Sequence, residues 1–205
     1  MPPSAVATAL SRLTREGVLQ RVSKGVYYRS AATAFGPSWP TASAASAETL
    51  RAPLHPAGLS AANVLGLTTQ NPRRPEYATP APAPPTALRD AVVHTGRSPQ
   101  RAGLSAEDGA ILETLRERAR SSDLSPERTA ARLMRLLGDE ARFVRLVDAA
   151  MTEPPRVRAM LGALGQERNM PPRPLGRLRK SLNPLSRFDF GQLASLQHAK
   201  EWQAQ

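Results

Sequence analysis

Thr8, Ser11, Arg12 and Arg15 lie near the start of the chain, and their types and spacing can do chemistry. At the helical period these residues share one side. Val6, Leu10 and Leu13 follow at i, i+4 and i+7 and form an apolar stripe on the other. Long cations beside short hydroxyls suit nucleic acid: guanidinium groups reach phosphates and guanine edges, and small side chains permit close approach. Arg21 and Lys24 follow in a segment of nearly alternating apolar residues, where cations on a wing would meet backbone phosphates. Thr8, Ser11, Arg12, Arg15, Arg21 and Lys24 are therefore the candidate DNA-binding residues. An ordinary amphipathic helix and hairpin with a solvated polar face has the same pattern, and on pattern alone both interpretations stay open.

Signals for catalysis are sparse. The histidines, His55, His94 and His198, have no metal-ligand spacing such as His-x3-His. The chain contains no cysteine, so disulfides, thiolate nucleophiles and Cys-ligated zinc are excluded together. No glycine-rich phosphate loop with Lys and Ser/Thr occurs, and no Gly-x-Ser-x-Gly elbow. The acidic residues are interleaved with arginine along helical stretches, the pattern of solvated faces. The expectation is a chain that is not an enzyme and carries no cofactor and no metal.

The elements that must position these residues are also legible. Ser4 is a candidate N-cap and Gly17 a candidate C′ residue for the first helix. "VLQRV" and "GVYYR" flank Ser23-Lys24-Gly25, a short hairpin loop with Gly25 expected in a left-handed conformation. Residues 31–53 read as a linker leading into a short helix near Ala42–Arg51. Ser60 is placed to cap a short helix ending before Gly66, and "EYAT" is strand-like. "TPAPAPPTAL" reads as a surface connection with no core potential, and "AVVHT" as a short buried strand. From Leu104 the chain turns helical. Ser105 opens "SAED", Pro126 opens the next helix, Phe143 marks a third, and Pro154/Pro155 start a fourth. Leu178, Leu182, Leu185, Phe188 and Phe190 are expected to pack onto these helices. The fold class is α+β: a partial winged helix-turn-helix at residues 1–30, a linker and short helix at 31–53, and at 54–205 a mixed α/β region ending in a helical bundle.

Formal charge is +11, and 25 of the 28 basic residues are arginine. Arginine-rich coding accounts for part of that excess, so its location carries more information than its total. Residues 1–30 hold five basic and one acidic residue, residues 152–205 hold nine and four, and residues 99–151 balance at nine each. The excess sits at the two ends. No apolar run approaches the length of a membrane span, and the N-terminus lacks the basic-then-apolar order of a secretory signal. No membrane partner is expected, and the cytoplasm is the expected location.

Four stretches together resemble the AbiEi-type antitoxins, partners of nucleotidyltransferase toxins in abortive-infection toxin–antitoxin systems. They are "VATALSRLTREGVLQRVSKGVYY", "GLSAANVLGLTTQNPRRPEYAT", "EPPRVRAMLGALG" and "LRKSLNPLSRFDFG", in the family's order and spanning roughly Ala5 to Phe190. The resemblance implies an N-terminal winged helix that binds operator DNA and represses its own operon, and a larger C-terminal part that supplies antitoxicity against a co-encoded nucleotidyltransferase toxin. By position, Thr8, Ser11, Arg12 and Arg15 match the recognition helix, and Arg21 and Lys24 the wing. Family members generally have one or two further helices before the stretch matching Val6 onward. A recognition helix without such helices exposes its apolar stripe, which leaves three expectations open: an earlier start of the coding region, cover of the stripe by residues from the C-terminal part, or weakened DNA binding. The alternative is a stand-alone winged-helix transcriptional regulator with no toxin partner.

Overall fold

The computed structural model describes residues 3–23, 26–29, 31–33, 36–38, 53–84, 88 and 90–205. It is a mixed α+β structure of two compact units. The smaller comprises Met1–Ala52 with Pro85–Arg89, and the larger Pro53–Pro84 with Asp90–Gln205.

In the smaller unit, helix α1 (Pro3–Arg15) is followed by strands β1 (Leu19–Ser23) and β2 (Val26–Arg29). Proline in the first turn suits a helix start, since the N–H it lacks has no intrahelical partner there. The helix therefore begins at Pro3, and Ser4 lies inside it, not at its cap. Gly17 ends it as expected, at φ +75°. Its N–H bonds to the Thr14 carbonyl at 3.2 Å and the Val18 N–H to the Leu13 carbonyl at 3.0 Å, the paired bonds of a Schellman motif. β1 and β2 are antiparallel, with Leu19 opposite Arg29, Gln20 opposite Tyr28 and Arg21 opposite Tyr27. The register shifts between Arg21 and Ser23. Residues 31–38 hold a second small hairpin, where the sequence suggested linker: β3 (Ala32–Thr33) pairs antiparallel with β4 (Gly36–Pro37). The loop residues Lys24 and Gly25 and the helix expected near Ala42–Arg51 lie outside the described residues.

The larger unit starts with a three-stranded sheet. β5 (His55–Pro56) pairs antiparallel with β6 (Glu76–Ala78), which pairs parallel with β7 (Val92–His94). Helix α2 (Gly58–Val64) follows β5. Its N-cap is Ala57, not Ser60; the Ser60 Oγ instead accepts the Glu76 N–H at 2.9 Å, tying α2 to β6. β7 is a strand as read, but Val92 is exposed. In the proline-rich segment Thr79 and Ala81 are buried, contrary to its reading as pure surface.

Five helices complete the unit: α3 (Ala106–Arg116), α4 (Pro126–Leu136), α5 (Glu140–Ala150), α6 (Pro155–Glu167) and α7 (Pro172–Lys180). Ser105, Ser125 and Asp139 cap the first three, each side chain accepting the backbone N–H three residues on. The shared core includes Leu65, Ile111, Leu115, Leu133, Phe143, Leu146, Met160, Leu164 and Trp202. Leu178, Leu182 and Phe190 join it, whereas Leu185 stands out at 88% exposure. The Asn183 side chain accepts the Leu185 N–H in a turn that faces this leucine outward.

Several charged side chains are buried, contrary to the expectation of solvated faces. Arg101 is fully enclosed, with Glu113 and Glu153 nearly so. Glu113 binds Arg97 through two bonds at 2.8 and 3.0 Å and also binds Arg101. Glu153 binds Arg101 at 2.7 Å and Arg116 at 2.8 Å. Burial pushes the Glu113 carboxyl up, but the Arg97 hydrogen bonds and the Arg101 charge outweigh this and hold it below the usual range.

Candidate nucleic-acid interface

α1 carries four of the six candidate DNA-binding residues. Thr8, Ser11, Arg12 and Arg15 are all exposed, and with Ala7 they line one open surface depression. The helical period places them there: Leu10 and Leu13 turn the opposite way and are half-buried. Val6, the first residue of that stripe, is 42% exposed, so the stripe is only partly covered.

The cations on this face are weakly committed within the fold. Arg12 lies 3.7 Å from Glu16 one turn on, with both side chains more than half exposed. Such a pair contributes about 0.5 kcal/mol or less and exchanges readily for a phosphate. Both Arg12 and Arg15 lie in the last turn of α1. There they favour the helix's negative end and leave the Thr8 end of the face to small side chains. Thr14 takes no part, since its hydroxyl donates to the Leu10 carbonyl at 2.7 Å.

The hairpin adds Arg21 on β1, exposed and opposite Tyr27. Alternation along the paired strands places Arg29, opposite Leu19, on the same side of the ribbon. Arg29 was missing from the candidate set. Its signal was available in the two-residue alternation with Tyr27. On the other side, the Tyr28 hydroxyl lies 3.1 Å from Ser38 Oγ, fastening the hairpin to the following segment. Four candidates thus share one helix face, Arg21 sits on the strand that follows, and Lys24 lies outside the described residues.

The larger unit has basic side chains of a different kind. Arg142 binds Glu107 and Asp108, each at 2.6 Å. Arg177 binds Asp148 at 2.7 Å, and Arg179 stacks 4.7 Å over the Trp202 ring. Arg128, Arg132 and Arg135 line a shallow depression with Gly66, Leu124 and Ala131, and the Arg132 Nε donates to the Leu65 carbonyl at 2.7 Å.

Two histidines of this unit lie among polar or charged groups. His55 is buried, and its Nε2 lies 3.2 Å from the Arg101 carbonyl. Burial, reinforced by the Arg101 charge, holds its pKa below the ordinary 6.5. His94 stands near Glu76 and Glu117, with ligand-type atoms of all three within 4.8 Å of one another. Burial and the Glu76 and Glu113 charges push the Glu117 carboxyl up. Sequence reading missed this cluster because its members come from three separate elements.

A family model described as "Family of unknown function (DUF6088)" matches residues 2–84. The chain is similar to that family over this stretch. The match takes in α1, both small hairpins, β5, α2 and β6. No curated protein and no solved structure matches. Among the described residues no helix is long and apolar enough to cross a membrane.

Proposed function

We propose that this chain is a DNA-binding antitoxin that represses its own operon and neutralises a co-encoded nucleotidyltransferase toxin. In this reading α1 is the recognition helix and β1–β2 the wing of a winged helix-turn-helix, and α3–α7 form the helical bundle of an antitoxin domain. The observation that carries the DNA-binding part is the joint exposure of Thr8, Ser11, Arg12 and Arg15 on one face of α1, followed directly by a hairpin bearing Arg21 and Arg29. The antitoxin part rests on the four ordered stretches that resemble AbiEi-type antitoxins. The chain acts without chemistry of its own.

Two measurements on the full chain test this. Fluorescence anisotropy with DNA from upstream of its own gene should show saturable binding that weakens steeply with salt, because each neutralised phosphate releases counterions. Co-expression with the adjacent nucleotidyltransferase should relieve growth arrest. Persistent arrest with intact DNA binding replaces the antitoxin reading with a stand-alone transcriptional regulator. Salt-insensitive binding removes the α1 assignment itself.

A further inference from the structure

We propose that Glu76, His94 and Glu117 in the larger unit form a binding site for one divalent transition-metal ion of the zinc type. The three side chains arrive from different elements: Glu76 begins β6, His94 ends β7, and Glu117 is the C-cap residue of α3. Parallel pairing of β6 with β7 sets Ala78 beside His94, which brings the imidazole along the strand edge toward Glu76.

Three observations point to a cation at this place. First, the His94 Nε2 atom is buried, although the side chain as a whole is 36% exposed, and it has no hydrogen-bond partner. The Glu76 Oε2 is 3.6 Å away, beyond hydrogen-bond reach. In the tautomer with its proton on Nδ1, this nitrogen offers a lone pair beside carboxylate oxygens, as a metal ion requires. Second, two carboxylates converge here, yet among the described residues no arginine or lysine forms an ion pair with either Glu76 or Glu117. The nearby cations Arg97 and Arg101 are bound by Glu113 and Glu153. A divalent ion would balance the two carboxylates and leave the site neutral. Third, Glu76 is seated. Gly58 adopts φ +51°, which favours glycine, and a Cβ there would overlap the Glu76 carboxylate where it now lies. On the other side Ser121 Oγ donates to Glu117 Oε2 at 3.4 Å, the type of outer hydrogen bond that orients a ligating carboxylate.

The donor set selects the ion. Ligands about 2.1 Å from a tetrahedral zinc ion stand about 3.4 Å apart. The His94–Glu76 separation of 3.6 Å is already close to this, and rotation of the Glu117 side chain closes the rest. One imidazole with two carboxylates suits zinc and its neighbours, whereas magnesium and calcium take all-oxygen sets. Three protein ligands leave a position for water. The ion would tie β6 and β7 to the end of α3.

The test uses the full chain, stripped with a chelator and titrated calorimetrically with Zn2+ alone and, in parallel, Mg2+ alone. One Zn2+ per chain is expected, bound at least about tenfold more tightly than Mg2+. His94→Gln and Glu117→Gln should each weaken binding at least about tenfold. His198→Gln should leave it unchanged, which controls for the exposed His198–Glu201 pair at 2.8 Å. The unsubstituted chain provides a readout that survives any folding defect in the variants. The chain has only three histidines, and Zn2+ should shift the imidazole nitrogen resonances of His94. Absence of saturable binding, full binding in both Gln variants, or shifts confined to His198 overturns the proposal.

Discussion

The two units use the same residue types in opposite ways. Among residues 5–15, 19–21 and 27–29 of α1, β1 and β2, no side chain is buried, and arginine faces solvent. In the larger unit Arg101 is entirely enclosed, and Arg97, Arg116 and Arg142 are tied to carboxylates. Arginine count is therefore a poor guide to what a partner meets. In the larger unit much of the positive charge is consumed within the fold, whereas on α1 it remains available. That difference favours the smaller unit as the proposed nucleic-acid interface, although the larger holds more basic residues.

Four experiments can break or sharpen this contrast. The largest effect is expected from Glu113→Ala, which leaves Arg97 and the buried Arg101 without their shared anion. Loss of one partner of a buried charge pair costs about 3–5 kcal/mol, read as a lower urea midpoint. The matching change in the smaller unit, Glu16→Ala beside the exposed Arg12, should cost about 0.5 kcal/mol or less. Equal losses would erase the distinction. Next, Trp202→Ala opens a cavity against Gly162 and removes the ring under Arg179. About 3 kcal/mol of stability should disappear in the same assay.

DNA binding gives the third test. Arg12→Ala and Arg15→Ala should each reduce the salt slope of operator binding by about one while the unfolding midpoint stays put. Arg128→Ala, in the larger unit's basic depression, should leave that slope unchanged. The reverse result would move the interface to α4. The smallest effect concerns pH. The His55 pKa is lowered in the folded chain, so below 6.5 the unfolded state binds the proton first. Stability is then lost as pH falls below 6.5, and His55→Gln should flatten that part of the thermal-melting profile.

What was legible in the sequence follows from how local each feature is. The α1 face was readable because a 3.6-residue period needs no distant partner. The starts of α3 and α4 were readable because Ser105 and Pro126 act within one turn. The sheet was only partly visible: "EYAT" and "AVVHT" contain β6 and β7, but β5 is two residues long and includes Pro56. Burial of Arg101 was not readable, since it depends on Glu113 and Glu153 meeting it from distant positions. The Glu76–His94–Glu117 cluster was hidden for the same reason. Parallel strand register and the end of α3 assemble it, and no spacing along the chain encodes either.

The ladder Arg97–Glu113–Arg101–Glu153–Arg116 also has a thermal consequence. Hydration of charged groups grows less favourable on heating, so keeping these groups away from water becomes easier as temperature rises. The ladder should then loosen least where apolar packing has stopped gaining strength. Hydrogen exchange followed across a temperature series would show it as amides near Arg101 and Glu113 that stay protected while the ends of the surrounding helices begin to open.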